Sequence, residues 1–339
     1  MKSVKTYLWL TAALAMCWCF GATAAENWQH FTTKEGLPGD EVQFLSEDDE
    51  GLIRIGTLTG LGAYGGGKFS VIISKGDFWD ALRTGPDKLW VCTGEGVILF
   101  EKGKQQTGLA GSTVAPIVPF ATNVVWAISK SRATEANALM ENDGQGWKPV
   151  ERFQKEKVVL LHRSRNGTVW VAVDGNGVFA INPKDGPAQA VHHLQGQNVT
   201  AIFDDSKGRV WCGLWGRGVM AYDGTAWTRH VEKEKSCILA IREDAGGRIW
   251  ATTSAHGLWR YDGNAWANDL ADEGAINMIE ATSDGRVWIS SQTKGGLRYW
   301  DGKAWQVSLE SPLPIRCLIE TKKKELWAGG VLDGVYVKR

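Results

Sequence analysis

Six histidines, His30, His162, His192, His193, His230 and His256, are the side chains best placed in pKa to move protons near neutral pH. Of these only His256 stands in a glycine-bounded loop, Ser254-Ala255-His256-Gly257, of a kind that also carries Glu95 and Asp174 elsewhere in the chain. A histidine facing a carboxylate from such a loop would serve as a general base, although no motif sets their separation. Trp215 and Arg217 occupy another loop, Gly213-Leu214-Trp215-Gly216-Arg217-Gly218. An indole beside a guanidinium can stack on a sugar ring or hold an anion. Trp79, after Asp77-Phe78, is a second aromatic of this kind, and Asn176 adds a carboxamide beside Asp174. Cys92, Cys212, Cys237 and Cys317 have spacings that match no metal or redox pattern, so buried free thiols are expected, with no metal and no cofactor. The acids Glu47-Asp48, Asp204-Asp205 and Glu243-Asp244 recur at one point of a repeat, which points to turn capping rather than calcium binding.

That repeat supplies the elements that must position these residues. An apolar-Trp unit followed by Gly and an apolar residue is centred on Trp90, Trp126, Trp170, Trp211, Trp250, Trp288 and Trp327, with Arg54 in the same slot of an earlier copy. The intervals are 36, 36, 44, 41, 39, 38 and 39 residues, a period at which propeller blades repeat. Each copy reads as four short strands. In the sixth, Ile238 to Ile241 is the first, Arg248 to Thr252 the second and Gly257 to Tyr261 the third; Asp262-Gly263 then turns into a fourth at Ala265 to Asn268. The second and third copies depart from the pattern; in the third, Asn137 to Gly144 replaces the glycine-led third strand. Three residues before each Trp slot stand Gly51, Asp87, Asn123, Gly167, Gly208, Gly247, Gly285 and Lys324. Seven are types that accept positive φ, which a tight hairpin needs, while Lys324 predicts a looser turn.

Four strands per unit and no helical periodicity predict an all-β protein, a β-propeller of eight four-stranded blades. The chain ends on a third strand, Gly334 to Lys338, and Asn27 to Phe31 has the pattern of an orphan fourth strand. Pairing them would close the ring and remove an exposed edge. Seven blades is the alternative if one degraded copy is not a blade. Twelve of the sixteen tryptophans beyond residue 25 fall in two recurring slots, where they fill the gaps between blades. Each such burial contributes at most roughly 4 to 6 kcal/mol. Trp79, Trp215, Trp259 and Trp300 lie outside those slots, and the last two sit in third strands where packing explains them.

The units Gly-x-Ile/Val-Trp, Gly-Leu/Val and Tyr-Asp-Gly resemble the two-component regulator propeller repeat. The likeness is strongest at Gly208-Arg209-Val210-Trp211, Gly247-Arg248-Ile249-Trp250 and Gly285-Arg286-Val287-Trp288, and Phe31 to Pro38 is similar to the segment that opens the family's propellers. It implies an extracytoplasmic, sensor-type propeller, often responsive to glycans. The chain shows no membrane helix or kinase after the last blade, so the expectation is a stand-alone exported propeller rather than a signalling receptor. The turns place their acids differently from sialidase-type Asp-boxes, as Ser283-Asp284-Gly285-Arg286-Val287-Trp288 shows. The lyase that inactivates streptogramins is another Trp- and Gly-rich propeller, which keeps a lyase or hydrolase in view.

Residues 1–25 read as a signal peptide: Lys2 and Lys5, an apolar stretch from Tyr7 to Phe20, then Gly21-Ala22-Thr23-Ala24-Ala25. Leu14-Ala15-Met16-Cys17 resembles a lipobox but has bulky Met16 where a small residue is the rule. Residues 26–339 form the propeller. Loss of the leader turns a net charge of zero into about minus two, and no basic stripe marks a nucleic-acid partner. The expectation is a periplasmic or secreted, non-catalytic binding protein with no membrane span. Its partner would be a carbohydrate or peptide at the loop face, touching Trp215, Arg217, Trp79, His256, Asp174, Asn176 and Glu95. The alternatives are a scaffold for another exported protein and a propeller enzyme.

Overall fold

A computed structural model describes residues 27–339 apart from 86, 135, 232 and 233; the leader lies outside the described residues. Eight four-stranded antiparallel sheets follow one another along the chain. Blade 1 runs Val42–Glu47, Ile53–Thr57, Leu61–Gly65 and Lys68–Ile73, and blade 2 Phe78–Gly85, Lys88–Thr93, Gly96–Glu101 and Lys104–Gly108. Blade 3 has Asn137–Asn142 as its third strand, so the degraded copy is still a blade. Blades 4 to 7 begin at Val158, Val199, Ile238 and Ile276. Blade 8 is Ile315–Glu320, Leu326–Gly330 and Val335–Lys338, and its fourth strand is Gln29–Phe31, paired His30 to Tyr336. Both ends of the described chain thus meet in one sheet, as the sequence predicts, and eight rather than seven blades form the ring. Among the described residues no helix is long and apolar enough to cross a membrane.

The core consists of wedges between blades. Trp126, Trp211, Trp250, Trp288 and Trp327 are fully buried, each meeting aromatic or aliphatic side chains of the next blade: Trp211 lies edge-on to Trp266 and Trp250 to Trp305. The third strand opens on glycine for a steric reason. A Cβ at Gly218 would sit 2.1 Å from the Val231 carbonyl oxygen, and at Gly257 1.6 Å from that of Leu270, so the fourth strand's exit can cross only over a bare Cα.

The paired acids divide two tasks. In blades 5 and 6 the second acid is buried and caps its own hairpin. Asp205 accepts from the Lys207 and Arg209 amides, from Arg209 Nε at 2.7 Å and from Trp211 Nε1 at 2.8 Å. Asp244 does the same for Gly246, Arg248 and Trp250. The first acid reaches the preceding blade: Glu243 accepts from the Ser206 amide, Glu320 from Ser283 and Glu47 from Lys322, all at 2.7 to 2.8 Å. Capping, expected from recurrence, is therefore half of the account; the other half latches neighbouring blades together. Arg54 follows the same logic. In blade 1 its Nη2 donates to Asp48 Oδ2 at 3.0 Å, where a tryptophan indole donates in blades 5 and 6.

Lys324 corrects the sequence expectation. Its φ is +66°, in line with +81° at Gly51, +77° at Gly247 and +85° at Gly285, and its amide closes the turn on Thr321 at 2.8 Å. The turn is as tight as the others, with a lysine held in a conformation that costs a non-glycine residue on the order of 1 kcal/mol. Among the described residues Cys92, Cys212, Cys237 and Cys317 are free, the first two of them buried.

Candidate functional site

One face of the ring is built from the loops joining strands two and three and from the connections leading into each blade. These are tied by one backbone bond repeated in all eight blades. The amide of Leu58, Gly94, Arg132, Asp174, Trp215, Ser254, Gln292 or Val331 donates to the carbonyl of Glu41, Asp77, Gly111, Lys157, Asn198, Cys237, Ala275 or Pro314, respectively, at 2.9 to 3.3 Å. Those eight donors form a register-matched ring around the mouth. Arg132, Asp174 and Trp215 are consecutive members of it, so blades 3, 4 and 5 present a cation, an anion and an aromatic side by side.

A second ring lies just inside. The first strand is bulged near its start in every blade, the partner registers jumping at Gln43, Trp79, Val159, Thr200, Leu239, Asn277 and Arg316, and across Ala115-Pro116 in blade 3. A bulge re-aims the unpaired side chain. Trp79 is the bulged residue of blade 2, and its Nε1 donates to Asp77 Oδ2 at 3.1 Å.

Of the sequence-predicted residues, Trp215 is 65% exposed, the most exposed aromatic among the described residues, whereas Trp79 is 37% exposed. The Trp215 backbone is held on both sides, through Asn198 and through a bridge to Cys237, and the Gly216 amide donates to the Ser236 carbonyl. Arg217 is exposed between Gly216 and Gly218, both at positive φ. His256 Nδ1 lies 2.9 Å from Glu234 Oε1. Glu234 also accepts from Trp259 Nε1 and from the Ser236 amide and hydroxyl. Burial pushes the Glu234 carboxyl up, and the bonds from Ser236, His256 and Trp259 outweigh that, so it sits below the usual carboxylate range. Trp215 and His256 therefore meet on the same connection, 234–237. Asp174 pairs with Lys157 Nζ at 2.7 Å, the Asn176 carbonyl accepts from His192 Nε2 at 2.6 Å, and Glu95 pairs with Arg132. Glu95 and Trp79 belong to blade 2, three blades round from Trp215, so the seven residues share a face and divide into two groups on it.

Glu234 and Glu273 are what sequence reasoning missed. Glu273, buried like Glu234, takes Ser291 Oγ and Lys294 Nζ, both at 2.9 Å, and Arg298. Both acids precede the first core isoleucine of a blade, Ile238 or Ile276, by three or four residues. That spacing was the available signal, hidden inside a charge run that otherwise reads as solvated surface. Two of the other histidines, His193 and His230, pack against the blade tryptophans Trp170 and Trp211. His193 and His230 accept from Trp227 and Trp266 Nε1, and burial holds both below the ordinary histidine range, helped by His192 and Arg209 respectively. Among the described residues no group of three or more histidine, cysteine or acidic side chains is placed to hold a metal.

Comparison with known proteins agrees with the propeller fold. The family model of the two component regulator propeller matches residues 193–216, the stretch that carries Trp211 and Trp215. No curated protein matches. Among solved structures, the extracellular domain of a putative hybrid two component system from B. thetaiotaomicron is similar with a TM-score of 0.53 and 15% identity, covering 89% of this chain and 51% of that one. The chain thus spans about half the length of that domain. YCF48 bound to D1 peptide aligns with a TM-score of 0.54 and 13% identity over 78% of this chain and 91% of the other. A catalytically inactive virginiamycin B lyase from Staphylococcus aureus with quinupristin gives 0.58 and 12% over 92% and 98%. At these identities the structures share the fold and no more. The chain therefore has the eight-bladed propeller fold, and one segment of it, residues 193–216, is similar to the two component regulator propeller repeat.

Proposed function

We propose that this chain is an exported, non-catalytic binding propeller whose ligand, a carbohydrate or a peptide, seats on the mouth around Trp215. The observation that carries the reading is the exposed indole of Trp215 on a backbone fixed from two sides. Leaving a large apolar ring in water on a rigid loop costs free energy that burial against a ligand recovers. Around it Arg217, Asp174, Asn176 and His256 supply donors and acceptors that orient the ligand, and Trp79 with Glu95 extends the surface on the far side of the ring. Export rests on the leader pattern of residues 1–25 and on the likeness to extracellular domains.

Glycan and peptide arrays probed with the wild-type chain, Trp215→Ala and Trp79→Ala test the reading. Loss of the bound class in Trp215→Ala is expected; binding indifferent to both changes would remove the mouth from consideration. A peptide rather than a glycan on the array would favour the scaffold reading, to which the peptide complex of YCF48 lends support. The enzyme reading has one specific observation behind it: Glu234 holds His256 through Nδ1 at 2.9 Å while the ring stays about half-exposed, a carboxylate–imidazole pairing of the kind a general base uses. Any lyase or hydrolase activity that survives His256→Ala would take that nomination away.

A further inference from the structure

In the gap between two blades, four side chains meet in a recurring box. One blade gives its second-strand tryptophan and the end of its fourth strand; the next gives the end of its third strand and the start of its fourth. Between blades 4 and 5 these are Trp170, His193, Tyr222 and Trp227, with ring centres 5.0 to 6.4 Å apart. Between blades 5 and 6 they are Trp211, His230, Tyr261 and Trp266. Phe31, Tyr64 and Phe69 enclose Trp327 in the same way between blades 8 and 1. In the histidine boxes an indole N–H donates across the gap, from Trp227 to His193 at 3.2 Å and from Trp266 to His230 at 3.1 Å.

Between blades 2 and 3 half of the box is missing. Trp90 and Trp147 keep their places, edge-on with centres 5.6 Å apart. The histidine position is Gly108, opposite Val97 as His193 is opposite Val178. The tyrosine position is Asn142, opposite Trp147 as Tyr222 is opposite Trp227. Two rings are thus lost, and a cavity of about 260 Å³ opens in the gap, with Trp90, Trp147, Val97 and Leu99 as its apolar walls. Gln106 and Gln145 stand exposed at its edge, and Lys88 and Glu101, 3.7 Å apart, add one charge of each sign. Asn142 is only 9% exposed. Its Oδ1 accepts from the Gly144 amide at 2.8 Å, which leaves Nδ2 accessible on the cavity wall with no partner among the described residues. The Trp147 indole N–H has lost its acceptor along with the histidine; a Cβ at Gly108 would stand 2.5 Å from Nε1, so the ring lies over a bare Cα. Two donors therefore open onto a pocket with apolar walls, where the oxygens of a ligand can replace water.

We infer that this gap, between the outer strands of blades 2 and 3, binds one ring of a neutral saccharide. Its volume lies below the roughly 300 to 1,000 Å³ of sites for drug-sized ligands and suits a single sugar ring. The apolar walls match the C–H face of such a ring. Hydroxyl groups need donors and acceptors together, and carboxamides supply both while an indole N–H adds a donor. The balanced Lys88–Glu101 pair gives no net charge for an ionic ligand. The site stands apart from Trp215 and does not depend on what the mouth binds. It also gives the departure of the second and third copies from the repeat a use: the lost rings make room.

Asn142→Tyr restores the residue of the regular blades and fills the cavity. The turn has the same length in both, Asn142 to Trp147 and Tyr222 to Trp227. The hydroxyls of Tyr222 and Tyr261 donate to the carbonyl of the glycine two residues on, at 2.8 and 2.7 Å, and Gly144 offers the same acceptor. The variant is therefore expected to fold and to melt no lower than the wild type. Ligand-observed NMR titrations with D-glucose, D-galactose, D-mannose and N-acetyl-D-glucosamine test the inference. The wild type is expected to bind at least one of the four saturably and Asn142→Tyr none. Gln106→Ala combined with Gln145→Ala, which alters exposed side chains only, is expected to raise Kd at least about tenfold, the effect of losing one to two hydrogen bonds. Trp215→Ala leaves this binding unchanged. No saturable binding of any of the four sugars, or binding that survives Asn142→Tyr in a folded chain, would overturn the inference. So would binding lost in Trp215→Ala alone, which assigns the sugar to the mouth. Where Asn142→Tyr melts below the wild type, the double glutamine variant decides: an unchanged Kd overturns the site, a raised one at unchanged Tm supports it.

Discussion

The two faces of the ring use the same kinds of residue to different ends. On the face of the hairpins, acids recur in register and find the same partners blade after blade: Asp205 and Asp244 cap, while Glu47, Glu243 and Glu320 latch. At the mouth the backbone bond recurs eight times but the side chains it carries do not: Arg132, Asp174, Trp215 and Ser254 occupy equivalent places. Chemistry that repeats holds a propeller together, and chemistry that fails to repeat, on a backbone that does, is where recognition is free to act. The same rule singles out the gap between blades 2 and 3, where the aromatic box stops repeating.

The largest effect should come from the repeated chemistry. Asp244→Ala leaves Arg248 and the buried Trp250 indole without their acceptor and is expected to cost about 3 to 5 kcal/mol in denaturant unfolding. Thr282→Ala at the equivalent place of blade 7, where a neutral hydroxyl takes the Trp288 indole, is expected to cost about 1 kcal/mol. Equal costs would erase the distinction between a charged and a neutral cap.

Acid provides the next test. Burial pushes the Asp205 carboxyl up, and the bonds from Trp211 and Arg209 more than offset it, leaving it below the usual range. Asp48 is lowered likewise, against burial, by the amides of Leu52 and Glu50 and by Arg54 and Arg83. A carboxyl whose folded pKa lies below its unfolded value stabilises the fold fully above the unfolded pKa of about 3.9, and that contribution disappears as pH falls through the folded value. The wild type should therefore hold its stability down to about pH 4 and lose it below. Asp205→Asn should start lower and show a shallower acid decline; a decline as steep as the wild type's would show that this carboxylate is not linked to folding.

Smaller effects belong to the unrepeated positions. Lys324→Gly removes a left-handed lysine and is expected to stabilise by about 0.5 to 1 kcal/mol, as a rise in Tm. Destabilisation would mean that the lysine's contacts with Ser283 and Glu320 outweigh the strain.

The repeat, the closure of blade 8 by Gln29–Phe31 and the packing of the slotted tryptophans were legible because each rests on a periodicity that one chain displays many times over. Trp215 was legible as an exception to that period. Glu234 was not: it lies in the connection 231–237, whose charged residues read as solvated surface, and only the folded chain buries one of them beneath His256 and Trp259. The bulge that re-aims Trp79 was also beyond reach, because one unpaired residue leaves no mark on an apolar pattern. Lys324 misled for a plain reason. Residue type states a preference for φ, whereas the turn is set by the hydrogen bonds of the hairpin around it.

The most direct test of the central claim compares Trp215→Ala with the wild type in two measurements on one preparation, the Kd for the ligand identified on the arrays and Tm. Trp215 is 65% exposed, so the account predicts a Kd raised at least about tenfold, consistent with loss of a central aromatic contact, and stability unchanged within about 0.5 kcal/mol. An unchanged Kd, or a loss of binding that merely follows a loss of fold, would contradict it.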